Sequence, residues 1–174
     1  MLFSREGVEL TNIEDYPEML GEDGVYRHNS LGPNEIWPHE IPENAKVEKF
    51  YYEYYNPWDP NHLGYLRLIY AEYSEYKAEI DRLKQIKSSD YIGVYGIESF
   101  SKDLCTITAD DYGMIYALTD EDRMEIDYVL IRFCNFFTDI KDYKTVIDSD
   151  DLPSGLDISE NNARRKEFEL NNPD

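Results

Sequence analysis

The sequence is poor in the features that most directly mark a function. It has two cysteines, Cys105 and Cys134, too few for a disulfide framework. Neither has the Cys-x-x-Cys partner of a zinc or redox site, and both sit in apolar contexts that favour buried, reduced, slow-reacting thiols. Such usage leans towards a reducing compartment, although one disulfide between the two is open to the chain. Its three histidines, His28, His39 and His62, fall in stretches expected to be loops, at separations that match no zinc motif, and read as surface residues. There is no glycine-rich phosphate loop and no Gly-x-Ser-x-Gly elbow. No apolar run approaches the roughly 18 residues of a membrane span. The opening MLFSREGVEL lacks the apolar centre of a signal peptide. Basic residues are scarce, with Lys+Arg 17 against Asp+Glu 37 and a net charge of −20. A surface of that sign repels nucleic acid and anionic lipid and attracts basic partners.

Acids are correspondingly abundant. They cluster at Asp110 and Asp111, at Asp120, Glu121 and Asp122, and at Asp148, Asp150 and Asp151. Paired acids can bind calcium or hydrolyse glycosides, but none of these clusters has the spacing of a calcium loop. With 37 acids in 174 residues, neighbouring pairs arise by composition alone, so no metal or cofactor is expected.

The chain is rich in aromatics, at 14% with 16 tyrosines, which separates it from disordered acidic sequences. A length of 174 residues favours one domain. The stretch that organises it opens with KVEKFYYEYY, turns through NPWDPNHLG and returns as YLRLIYAEYS. Tyr, Phe, Ile and Val suit a pleated surface, so Val47–Tyr55 and Leu63–Tyr73 read as the strands of a long hairpin around an Asn56–Gly64 loop. On the first strand, Val47, Lys49, Tyr51, Glu53 and Tyr55 are expected on one face. The period then lengthens: Tyr76, Ile80, Leu83 and Ile86 recur at helical spacing after Ser74, a candidate N-cap. Further strands are expected at Tyr91–Ile97, Leu104–Ala109, Met114–Leu118 and through MEIDYVLIR. Asp110–Gly113 makes the turn of a second hairpin. FCNFFTDIKDY reads as a helix with Phe133, Phe136, Phe137 and Ile140 inward, and a single helix from Asp120 to Tyr143 is the competing reading.

The expected fold is therefore α+β: a mainly antiparallel sheet of five or six strands carrying two packed helices. Residues 1–45, broken by Gly7, Gly21, Gly24, Gly32 and four prolines, read as an irregular lead-in with a short helix near Ile13–Leu20 and with Trp37 and Ile41 as anchors. Residues 46–148 form the core, and 149–174 a polar tail whose basic Arg164, Arg165 and Lys166 can fold back on the acidic body.

Candidate binding residues are Trp58, Asp59 and His62 in the first hairpin loop and Asp110, Asp111 and Tyr112 in the second turn. Trp58 among prolines suits either an exposed stacking residue or a plug for one end of the core. The charge points first to a non-enzymatic, cytoplasmic protein that captures a basic protein partner. Exposed aromatics suggest instead an exported or lipid-anchored domain that binds a sugar or peptide. A hydrolase built on clustered carboxylates is the third reading, without a nucleophile, base and oxyanion set to support it.

Two resemblances accompany these readings. IPENAKVEKFYYEYYNPWDPNHLGYL, EIDRLKQI, LCTITADDYGMIYALTD and IRFCNFFTDI, within residues 41–168, resemble small acidic proteins of Firmicutes to which no activity is assigned. DDYGMIYALTD followed by YVLIRFCNFFTDI is similar to the C-terminal part of the SUKH immunity superfamily, over about a quarter of the chain. That similarity implies an acidic inhibitor of a secreted toxin, with no catalytic residues.

Overall fold

The tyrosine-rich run near residue 50 forms the longest strand among the described residues. A computed structural model describes residues 6–29, 31–56, 59–89, 95–133, 142–159, 162–171 and 173. In chain order the elements are β1 (Glu6–Leu10), α1 (Tyr16–Met19), β2 (Ala45–Asn56), β3 (Asn61–Tyr70), α2 (Tyr73–Lys84), β4 (Asp103–Asp110), β5 (Gly113–Asp120), β6 (Glu125–Phe133), α3 (Tyr143–Val146) and α4 (Ala163–Asn171). The strands form one six-stranded sheet in the order β1-β2-β3-β6-β5-β4, and every neighbouring pair is antiparallel. The fold is α+β with an antiparallel sheet, as expected. No helix among the described residues is long and apolar enough to cross a membrane.

Both faces of the sheet are covered, because both carry apolar residues. On the first face Leu66, Leu68, Tyr128 and Leu130 pack beneath α2 and the segment 11–44. Trp37 is fully buried there, with Ile41 partly buried beside it, so both anchor the lead-in. On the second face Leu63, Tyr116, Val129 and Ile131 pack beneath residues 95–100 and 143–158. Helix α2 buries Tyr76, Ile80 and Leu83, as its periodicity requires. Arg82 fixes it by gripping Glu79 with two 2.7 Å bonds and donating to the carbonyls of Glu35 (2.6 Å) and Ile36 (3.1 Å).

Several expectations need correction. Helix α2 begins at Tyr73, and its N-cap is Glu72, which makes no side-chain cap bond, so Ser74 is not the cap. The first hairpin loop is shorter than Asn56–Gly64, because the two prolines confine the break and the strand resumes at Asn61. Gly64 does not end that strand. It is glycine because a Cβ there would lie 2.8 Å from the indole ring of Trp37. Val47 does not share a face with Lys49: a bulge at Glu48 turns Val47 towards the α2 side, where it packs partly buried. Residues 125–133 are strand, which overturns the long-helix reading there. The chain turns into β6 at Met124, whose φ of 49° is left-handed. Residues 95–97 lie outside any strand. Most of the proposed Tyr91–Ile97 strand, and the helix expected after Phe133, lie outside the described residues.

The lead-in is more ordered in its bonding than its glycines and prolines suggest. Glu6–Leu10 pairs with β2 as an edge strand. The folded loop behind it is organised by Arg27, which is buried and donates to the carbonyls of Leu20 (2.8 Å), Gly21 (3.0 Å), Asn34 (2.9 Å), Trp37 (3.3 Å) and Pro38 (2.7 Å). A guanidinium presents five N–H donors in a fixed fork, which suits a loop whose carbonyls have no regular partners. The opposite edge strand, β4, is shielded by Ser89, whose N–H donates to Ile107 O at 2.8 Å and whose hydroxyl donates to Ala109 O at 2.9 Å.

Candidate functional site

Antiparallel pairing brings the β2–β3 loop, the β4–β5 turn and the C-terminal end of β6 to the same end of the sheet. The residues singled out in the sequence meet there only in part. His62 stands opposite Arg132 across β3 and β6, and Arg132 is ion-paired with Asp110. Asp110 also accepts the Tyr112 N–H at 2.9 Å, which shapes the turn. Gly113 closes that turn with a φ of 138°, where a Cβ would meet the Ile131 carbonyl at 2.0 Å. Asp111 is exposed, and its carbonyl accepts from Arg165 Nη1 at 3.0 Å. This contact docks the start of α4, so the basic cluster of the tail does reach the acidic body through Arg165. Tyr112 is 42% exposed. Asp59 is exposed in the first loop, and Trp58 lies outside the described residues.

His62 is the clear correction among these residues. It was expected on the surface and is fully buried within β3. Its Nδ1 is 2.6 Å from the Tyr52 hydroxyl, and its ring lies 5.0 Å from that of Tyr54. The strand extends beyond the loop prolines and the side-chain parity of β3 points His62 to the α2 face, where tyrosines enclose it. It therefore belongs to the packed core and not to an accessible surface.

The largest concentration of buried charge lies elsewhere, on the second face. Asp127 and Glu125 of β6 and Asp151 after α3 are all fully buried. Arg67 of β3 donates from Nε to Asp127 Oδ1 at 2.6 Å and from Nη2 to Asp151 Oδ2 at 2.6 Å. Lys102 Nζ lies 2.7 Å from Asp127 Oδ2, 2.6 Å from Asp151 Oδ1 and 2.7 Å from Glu125 Oε1. The Tyr65 hydroxyl donates to Asp151 Oδ2 at 2.5 Å, and Arg123 pairs with Glu125 Oε2 at 2.7 Å. Glu48, displaced by the bulge in β2, reaches Arg67 and Arg123 at 3.7 and 3.2 Å. Burial first, and the Asp151 charge second, push the Asp127 carboxyl up to about 7. Burial alone would lower the Lys102 and Arg67 pKa values. Hydrogen bonds to the surrounding carboxylates outweigh it and hold both cations firmly charged.

The cluster combines residues from β3, β6, the approach to β4 and the segment after α3, so no local motif announces it. Its trace in the sequence is that Arg67 and Asp127 interrupt otherwise apolar strands on the buried face. Of the Asp148–Asp151 group, Asp151 is the acid that enters the interior. The oxygens of Asp127 and Asp151 are occupied by cations, which is the arrangement of a structural ion cluster rather than of an acid poised over a substrate.

An acidic surface forms where the N-terminus of α2 meets the β5–β6 turn. Tyr73 is 52% exposed and donates to Glu121 Oε1 at 3.0 Å. That bond ties the start of α2, with Glu72 exposed next to Tyr73, to the turn that carries Asp120, Glu121 and Asp122. Asp120 Oδ1 accepts the Asp122 N–H at 3.1 Å and holds the turn tight. Among the described residues, no group of three or more His, Cys, Asp or Glu has metal-ligand geometry. Compared with protein-family models, curated proteins and solved structures, the chain matches none.

Proposed function

We propose that this protein is a non-enzymatic binding protein, of immunity or inhibitor type, that captures a basic protein partner in the cytoplasm. The observation that carries the reading is how the charge is distributed. Among the described residues the buried charges nearly cancel: Arg27 and Arg67 stand against Glu125, Asp127 and Asp151, and the half-buried Lys102 ammonium pairs with all three acids. Burial therefore does not hide the excess acid behind the net charge of −20. The Tyr73 surface supplies an aromatic anchor among carboxylates, the combination that recognises Lys- and Arg-rich surfaces. The free thiol of Cys105 fits a reducing compartment.

The test is capture on immobilised protein from lysate of the same cells. A basic protein is expected to bind at ~0.05 M salt and to elute near ~0.5 M, because exposed charge attraction is screened. The combined variant Glu72→Gln, Tyr73→Ala, Glu121→Gln is expected to weaken capture about tenfold or more. Capture that survives high salt, or that this variant leaves unchanged, would remove the basis for the reading.

A further inference from the structure

Asp151 reaches the ion cluster from outside the sheet. It follows α3 in a segment that lies across the second face, where Tyr143, Val146, Leu152, Leu156 and Ile158 pack partly buried against the core. Ile147 is buried, the Tyr116 hydroxyl donates to the Asp151 carbonyl at 2.7 Å, and Ser154 exchanges backbone bonds with Ser99 (2.9 Å) and Glu98 (3.0 Å). The Asp157 N–H also donates to the Tyr95 carbonyl at 2.8 Å, and the fully buried ionic link from the segment to the sheet is the Asp151 carboxylate. It shares both of its cations, Arg67 and Lys102, with Asp127 of the sheet.

We propose that residues 142–158 form a pH-sensitive strap, which Asp151 fastens across the sheet and which loosens as Asp127 ionises. Every charged group around Asp127 enters the balance. From β3 come Arg67 and the Tyr65 hydroxyl, and from β6 comes Glu125. Lys102 comes from the approach to β4, Tyr116 from β5, and Asp151 and Asp148 from the strap. At the rim, Asp148 meets Arg67 Nη1 at 3.0 Å and Lys49 at 3.8 Å, and Arg123 and Glu48 close the open side. With Asp127 ionised, two buried carboxylates compete for the same two cations. With Asp127 protonated, Asp151 has Arg67 and Lys102 without a competing charge.

The sign follows from linkage. In the strapped state the Asp127 carboxyl is pushed up to about 7 from an ordinary 3.8, by burial and then by the Asp151 charge. Lifting the strap removes that charge and admits water, so the carboxyl returns towards its ordinary value. The strapped state thus holds the Asp127 proton more tightly. Its advantage is complete below the ordinary value and is lost as pH rises through about 7.

Hydrogen exchange on the full chain, corrected for the intrinsic pH dependence of amide exchange, tests this directly. The opening of residues 142–158 relative to β5 and β6 is expected to rise about tenfold between about pH 5.5 and 8.5. Asp127→Asn is expected to abolish that rise, and Asp151→Asn to raise opening at every pH. A strap whose opening in the unaltered protein follows β5 and β6 across the range would overturn the proposal, even if neither variant folds. So would an Asp127→Asn protein that keeps the pH dependence. The inference does not depend on the binding reading, since its readout needs no partner.

Discussion

At the scale of single residues, Gly64 shows how a chain position can be fixed by a distant neighbour. Its place inside β3 looks like a break, yet the strand runs through it because the Trp37 indole lies against its backbone. A methyl group would sit 2.8 and 2.9 Å from two ring carbons of Trp37, which is fully buried and stacks on Tyr16 with ring centroids 6.4 Å apart. The ring has little room to yield, so Gly64→Ala is expected to cost about 1–3 kcal/mol, read as a lower urea midpoint at unchanged slope. An unchanged midpoint would mean that the indole moves freely. The same contact explains why His62 could not be placed from sequence. The signal that ends a strand, a glycine after prolines and asparagines, was there, and the indole that reverses its meaning lies 27 residues upstream. Cys105 was expected to be buried and is half-buried and free. Burial raises its thiol pKa, which fits slow reactivity, while Cys134 lies outside the described residues.

At the scale of elements, what was legible depended on how much of each pattern is local. Strands β2, β3, β4, β5 and β6 and helix α2 were visible because their apolar residues recur with the period of the element, and because a two-residue turn before Gly113 closes the second hairpin. Edge strand β1 offers only Val8 and Leu10 on its buried face, too few to show a period, and it becomes a strand because β2 is twelve residues long and leaves an edge to pair. The ion cluster was invisible for a different reason. Arg67 and Asp151 are 84 positions apart, and their pairing is a property of the folded sheet. Helix α2 allows a direct check of the legible part. Leu83 is fully buried on its sheet-facing side with Tyr76 and Ile80, so Leu83→Ala removes packed methyl groups and leaves a cavity. The expected loss is about 2–5 kcal/mol in chemical denaturation. A loss below about half a kilocalorie per mole would mean that the helix contributes little to the core.

At the scale of the whole molecule, two kinds of charge are kept apart, and they should respond differently to salt. The interior set is paired at 2.6–2.7 Å and shielded from solvent, so dissolved ions reach it poorly. The excess acid behind the net charge of −20 is not balanced in that interior, and exposed carboxylates such as those around Tyr73 repel one another. Folding crowds them together, so repulsion opposes the compact state more than the unfolded chain. Added salt shortens the range of this repulsion to about 10 Å at ~0.1 M and about 3 Å at ~1 M. Raising sodium chloride from ~0.01 to ~0.3 M is therefore expected to raise the thermal midpoint by a few degrees, with most of the gain in the first ~0.1 M where the screening length falls fastest. Neutralising Asp120, Glu121 and Asp122 together to their amides should raise the low-salt midpoint and reduce the further gain from salt, since it removes part of the same repulsion. A midpoint that falls as salt is added would show that attraction between exposed charges outweighs repulsion. The acidic surface would then be internally compensated, and its pull on a basic partner correspondingly weak.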